Sequence, residues 1–323
     1  IVGAYKAPDG TDVGCAYIYD VTTGNELHHI VPSDAGDTDM VGHSVAIEGD
    51  YAIVGANAQD DNGTSSGCVY VCSTSTGVVI RKLTSHDANT QDHFGENVAI
   101  SGKYAIVGCR YNDDDGNNSG CAYIFDVTTG VEHRKLLGDD TAAEDNFGCD
   151  VDICGNYAIV GAKGNDGLGS NGGAAYIFNV ATGEQLYKLT KGLLNRDFAS
   201  AVCIGGQYAV IGAHWHKIGT RHSYTTDVGA VYIFGPKDYT TNIINIDNDT
   251  GRVGMGTTNP TALLDIDGVL KTKQLKIGND FVNIDPAIVR IGRNHGFRLV
   301  KSFTGEANED YYGTNVAVSK DYY

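Results

Sequence analysis

The chain has 323 residues and a formal net charge of −17, from 23 basic and 40 acidic side chains. A surface of that sign repels phosphate backbones and argues against nucleic acid as a partner. With 43 glycines and 19 tyrosines, no helical periodicity beyond about two turns and no apolar run near the roughly 18 residues of a membrane span, the chain reads as all-β with no spanning helix.

The N-terminus opens in mid-strand. IVGAY (1–5) is the second half of a motif whose internal copies read VAIEGDYAIVGAN, VAISGKYAIVGCR and VDICGNYAIVGAK. The C-terminal NVAVSKDYY (315–323) supplies the first half. The join falls in register: Tyr322 matches Tyr51, Tyr323 matches Ala52 and Ile1 matches Ile53. The expectation is that the two ends complete one blade, either within one ring or between copies arranged head to tail. A start inside a strand says nothing about targeting signals.

Four signals then recur in order. A Phe-Gly or similar pair leads an alternating strand at VGHSVAI (41–47), FGENVAI (94–100), FGCDVDI (147–153) and YGTNVAV (312–318). YAIVGA or a variant follows at Tyr51, Tyr104, Tyr157 and Tyr208, spaced 51 to 53 residues apart. GxAYIFD or a variant comes next, at Tyr17, Tyr70, Tyr123, Tyr176 and Tyr232. RKLT (81–84), RKLL (134–137) and YKLT (187–190) close each unit. Asp/Asn/Gly-rich loops join the second and third strands, and compact turns ending at Gly24, Gly130 or Gly183 join the third and fourth. A period near 50 with four strands predicts a β-propeller, here of about five blades or alternatively six. The blades begin near Tyr312, Val41, Phe94, Phe147 and Phe198. Segments apolar on both faces, such as YAIVGA, suit strands sandwiched between neighbouring blades.

The repeat fails after YIFG (232–235) and resumes at FRLVKSFT (297–304). The expected organisation is propeller strands over 1–238, an inserted β module or diverged blade over 239–296, and returning propeller strands over 297–323.

The FG…GA pattern followed by GxAYIFD resembles FG-GAP repeats, the blades of integrin-α-type propellers, over about 1–237 and 298–323. That resemblance implies an extracellular propeller. Family blades often carry a DxDxDGxxD calcium loop between the first two strands. This chain has only SGK, EGD, CGN, GGQ or SKD there, so the resemblance does not bring that site with it. A short stretch, VGMGTTNPTALLDIDGVLKT (253–272), resembles the β repeats of phage tail fibres and surface stalks.

Candidate chemistry is sparse. Asp113, Asp115 and Asn117 alternate beside a glycine as hard-cation loops do, and make calcium the candidate cofactor. His214 and His216 form a His-x-His pair that, on a strand, would point both rings to one face for zinc or copper. Trp215 between them is the lone tryptophan and a candidate stacking platform for sugar. Asn62, Asn117 and Asn248 each open a glycosylation sequon, the first two at the same loop position in successive blades. Cys109 and Cys121 flank one hairpin loop and form a candidate disulfide. Cys15, Cys68 and Cys121 occupy one repeat position, where Ala174 and Ala230 stand in later copies, and read as small buried residues.

Ser65 centres a Gly-x-Ser-x-Gly match, but a polar hairpin loop lacks the strand and helix of a nucleophile elbow. The acidic pairs recur between blades, which suits turns rather than a catalytic dyad. Asp152 is the single inner-strand acid singled out, whereas a glycosidase needs two facing carboxylates.

The expected function is non-enzymatic: an extracellular structural or adhesive protein, the repeating subunit of a surface filament or tandem array, whose partners are copies of itself. The alternative is a lectin-like propeller binding glycan or an extracellular protein, with a glycoside hydrolase ranked behind both.

Overall fold

The computed structural model describes residues 1–6, 12–167, 172–191, 197–215 and 229–235 in full, and the backbone of further strands between 217 and 304. It is all-β, with no helix among the described residues. The chain divides into two compact units, Ile1–Gly235 with the returning segment from Leu299, and Pro236–Arg298.

The first unit is a succession of antiparallel sheets. The first holds β1 (Val2–Ala4), β2 (Cys15–Tyr19) and β3 (Glu26–Ile30). The second holds β4 (Val41–Glu48), β5 (Tyr51–Ala56), β6 (Cys68–Ser73) and β7 (Val79–Leu83). The third runs β8 (Val98–Ser101), β9 (Tyr104–Cys109), β10 (Cys121–Asp126) and β11 (Val131–Leu136). The fourth runs β12 (Phe147–Cys154), β13 (Tyr157–Ala162), β14 (Ala174–Asn179) and β15 (Gln185–Leu189). The fifth takes β16 (Phe198–Gly205) and β17 (Tyr208–Ala213), then a hairpin of β18 (Lys217–Thr220) and β19 (Ser223–Asp227), then β20 (Ala230–Pro236).

In the second unit β21 (Ile244–Asp247), β22 (Arg252–Met255) and β23 (Leu264–Ile266) form a small sheet, β22 and β23 running parallel. β24 (Gln274–Ile277) and β25 (Asp280–Asn283) form a hairpin. β26 (Phe297–Thr304) then stands fourth in the fifth sheet, beside β20. The result is a β-propeller-like array of five blades. The expected pairing of 312–318 with the N-terminal strand falls outside the described residues.

Sheets stack through apolar clusters that each combine two blades. Ile53, Val69 and Val71 of the second blade pack with Phe94, Val107, Tyr123 and Phe125 of the third. Ile106, Ala122 and Ile124 of the third pack with Phe147, Val160, Tyr176 and Phe178 of the fourth. This is why the second strands are apolar on both faces: Ala52, Ile53, Val54 and Ala56 are all fully buried. The Phe of each Phe-Gly pair wedges between the Tyr and Phe of its own third strand. Phe94 lies 5.6 Å from Tyr123 and 5.7 Å from Phe125, and Phe147 repeats this with Tyr176 and Phe178 at 5.3 and 6.0 Å.

The repeated glycines mark where backbones of adjacent blades touch. A Cβ on Gly55 would lie 2.1 Å from the carbonyl oxygen of Gly95, and one on Gly95 would lie 2.5 Å from that of Cys68. Gly95 also has φ of +91°, which favours glycine. At the same place the Phe94 N–H donates to the Ser66 carbonyl at 3.0 Å and the Phe147 N–H to that of Ser119 at 2.9 Å. Farther out, the Arg81 guanidinium donates to the Thr128 carbonyl of the next blade's turn, and Arg134 donates to those of Thr182 and Ala181 at 3.3 and 3.0 Å.

Candidate functional site: the inner rim and the loop clusters

The first strands of successive blades lie side by side and are linked by side chains. The Ser44 hydroxyl accepts from the Val98 N–H at 3.0 Å, and Asn97 donates to the Cys149 carbonyl at 2.7 Å. Asp150 accepts from the Val202 N–H at 2.6 Å, and Asp152 from the Ile204 N–H at 2.8 Å and the Cys203 thiol at 3.0 Å. Asp152 therefore satisfies a neighbouring strand edge. Asp150, two residues away on the same face, was not singled out from sequence. The D-x-D alternation was the available signal. Burial pushes Asp150 up to about 7.

Two positions recur at the inner rim. One follows the Phe-Gly pair: His43, Glu96, Cys149 and Ser200. The other follows the second strand: Tyr5, Asn57, Arg110, Lys163 and His214. In the second, fourth and fifth blades a register shift early in the first strand opposes the two positions. In the third blade they form an ion pair, Glu96 Oε1 to Arg110 Nη2 at 2.8 Å. In the fifth they form a hydrogen bond, Ser200 Oγ to His214 Nδ1 at 2.8 Å. In the fourth, burial pushes the Cys149 thiol up to about 12 while the Lys163 ammonium opposes it. Tyr5 and His43 of adjacent blades contact through their rings, centroids 5.4 Å apart. Arg110 lies over Tyr111 at 4.5 Å. Burial raises the Glu96 carboxyl against the opposing pull of Arg110, His43 and Lys163.

Asp197 lies 3.7 Å from His214 Nε2. That is too long for the hydrogen bond that would orient the imidazole of a Ser–His–Asp triad. The group is an imidazole–hydroxyl pair with a carboxylate nearby, and burial holds the imidazole below its ordinary pKa. Trp215 is 43% exposed and meets His214 edge-on at 5.8 Å. His216 lies outside the described residues, as does Asn248.

A second constellation recurs at the hairpin-loop end of the blades. Lys135 bonds Asp87 at 2.7 Å and also Asp114, while the Tyr123 hydroxyl donates to Asp87 at 2.6 Å. Lys82 repeats this with Asp34 and Asp61, and Lys188 with Asp140 and Asn165. Each ammonium stands 5.3–5.4 Å from the ring centre of Tyr70, Tyr123 or Tyr176. Burial alone would raise the Asp87 carboxyl; the Lys135 and Tyr123 hydrogen bonds outweigh it and hold it low.

Two loop acids, Asp113 and Asp60, accept from their own backbone. Asp113 Oδ1 accepts from the Asn118 N–H at 2.7 Å, and Asp60 Oδ1 from the Ser65 N–H at 2.7 Å, closing equivalent turns. The Asp115 N–H donates to Ser119 Oγ at 3.3 Å. Among the described residues no three His, Cys, Asp or Glu side chains converge as a metal site. Asn62 and Asn117 are both exposed at these tips, Asn117 donating to Glu144. Cys109 and Cys121 are register partners across β9 and β10, both buried free thiols, and the Cys109 thiol donates to the Asp92 carbonyl at 3.2 Å.

A repeated four-stranded blade joined by backbone contact at glycine, with chemistry confined to rim and loops, defines a propeller-type repeat protein. The chain carries FG-GAP repeats: a family model described as FG-GAP repeat matches residues 25–72, 78–125 and 131–178. Each matched segment starts at or just before the last strand of one sheet and ends in the third strand of the next. The sequence repeat therefore contains the inter-blade contact itself. Among solved structures, the chain is similar to the computationally designed Ika4 protein at 16% identity and a TM-score of 0.38, over 55% of this chain and 88% of that one. No curated protein matches the chain. Among the described residues no helix is long and apolar enough to cross a membrane.

Proposed function

We propose that the chain is a non-enzymatic extracellular adhesive module, with the blades as scaffold and the inner rim as recognition surface. One observation carries this reading. The Phe-Gly and Gly-Ala positions repeat from blade to blade, while the residue after each varies: His43, Glu96, Cys149 and Ser200, against Asn57, Arg110, Lys163 and His214, with Arg110 and Lys163 alike in charge. A repeat scaffold keeps what its packing needs and is free to differ where side chains meet a ligand.

The test is binding of the secreted full chain to arrays of immobilised glycans and extracellular-matrix proteins, beside turnover assays on nitrophenyl glycosides and esters. Saturable binding without turnover is expected. Turnover that disappears in Ser200→Ala or Asp152→Asn would replace this reading with a hydrolase.

The second reading, a lectin-like module, is favoured by the exposed indole of Trp215 beside His214. Trp215→Ala would then abolish glycan binding and leave thermal stability unchanged.

A further inference from the structure

Four lysines of the blades share one arrangement. Lys82, Lys103, Lys135 and Lys188 each pair with an aspartate. Lys163 makes no ion pair among the described residues, although the chain carries 40 acidic side chains. It sits half-buried at the inner rim, directly after β13. Its charge is felt by Glu96 of the third blade, Cys149 of its own and His214 of the fifth. Arg110 holds the equivalent place one blade earlier.

The Glu96–Arg110 pair beside it is incomplete. Glu96 is 9% exposed, and only its Oε1 meets the guanidinium. Its Oε2 and the Arg110 Nε–H are both buried without a protein partner. The Arg110 Nη2 is already shared with the Tyr111 hydroxyl at 2.7 Å. Buried polar atoms are almost always paired, so open atoms of this kind mark a place where something else bonds.

We propose that the inner rim between the third and fourth blades binds a carboxylate, held by the Lys163 ammonium and the Arg110 Nε–H. The recognised group is a single carboxylate on a small polar ligand, and a sugar acid supplies it. The unpaired Nε–H and an ammonium whose charge reaches the same rim can each offer a donor to one oxygen of a carboxylate. Glu96 occupies part of the same field, and its negative charge limits affinity.

This inference rests on the reading of the rim as a recognition surface. Its test is titration calorimetry of the full chain at low ionic strength, with glucuronate as probe and glucose as the uncharged control. Glucuronate should bind and glucose should not. Lys163→Gln should weaken glucuronate by about tenfold or more, the worth of one charge-assisted hydrogen bond, and Lys163→Arg should restore it. Glu96→Gln should tighten binding, because it removes the competing charge without removing the side chain. Equal affinities for glucuronate and glucose, or an unchanged affinity in Lys163→Gln at an unchanged melting temperature, would overturn the proposal. Array binding without glucuronate binding would leave the adhesive reading standing and remove only the carboxylate.

Discussion

Gly108 of the third blade lies against Gly148 of the fourth: a Cβ on Gly108 would stand 2.3 Å from the Gly148 carbonyl oxygen. The obstacle is backbone held in a ladder, so it cannot rotate away. Gly108→Ala should therefore cost about 2 kcal/mol or more in urea unfolding. Gly102→Ala is the control. It has φ of +58° and nothing within 4 Å of its Cβ position, so it should cost only the left-handed strain, about 1 kcal/mol. Equal losses at the two sites would show that blade spacing does not depend on this contact.

The fifth blade breaks the glycine rule. Ala199 stands where Gly42, Gly95 and Gly148 stand, fully buried and at φ of +67°. An alanine pays in strain for that conformation, and glycine adopts it freely. Ala199→Gly should raise stability by about 0.5–1 kcal/mol, the strain released less the entropy glycine adds to the unfolded chain. A lower melting temperature in this variant would mean that the Ala199 methyl packs well enough to outweigh its backbone.

The strands were legible because one repeat was printed several times over. Tyr51, Tyr104, Tyr157 and Tyr208 open equivalent strands, and period and alternation alone place them. The burial of Cys15, Cys68 and Cys121 was legible for the same reason. The rim was not. Glu96 and Arg110 are 14 positions apart in sequence, and only the pairing of β8 with β9 brings them together. Lys163 carries no sequence signal of its own, since a lysine after a strand is ordinary on any surface. The backbone after His214 forms the β18–β19 hairpin, which the sequence pattern did not mark. Charged and polar residues there hid an alternation that apolar residues would have displayed. The acids at 113 and 115 read equally as cation ligands or turn residues, because both chemistries want short carboxylates beside glycine. In the folded chain Asp113 closes its own turn.

The Tyr123 hydroxyl bonds an aspartate that also carries Lys135, and the ring itself is fully buried. A hydrogen bond to a charged acceptor is worth more than one between neutral groups. Tyr123→Phe should destabilise by about 1–2 kcal/mol, and Tyr176→Phe, which loses the matching bond to Asp140, by a similar amount. A double-mutant cycle with Lys135→Met should return coupling between the two positions, since they share Asp87. Additivity within about 0.3 kcal/mol would show that tyrosine and lysine hold the loop independently.

Two buried carboxyls, Asp92 and Asp150, carry the largest upward shifts, and burial raises Glu96, Asp39 and Asp145 in the same sense. Burial pushes Asp92 up to about 6 despite the Asn89 N–H that bonds it, with Asp87 and Asp114 nearby adding to the rise. Asp150 stands at about 7, raised by burial and by Asp152 against the N–H groups of Val202 and Val151. Both values lie above the 3.8 of an ordinary aspartate, so between that value and 6 or 7 the folded chain holds protons that the unfolded chain has lost. The stability these groups contribute is complete below about pH 4 and is lost as pH rises through their folded values. The melting temperature should therefore fall by roughly a few degrees between about pH 5 and pH 8. Asp87 works in the opposite sense, since its carboxyl is held low, but its contribution changes only at the acid end. His93 and His214, both lowered by burial, also oppose the trend near neutrality. The decisive comparison is thus with the Asp92→Asn, Asp150→Asn double variant, which keeps an acceptor oxygen at each site and removes both titrations. Its melting curve should be flatter across that range than the parent's. A slope unchanged in the double variant would place the pH dependence elsewhere in the molecule.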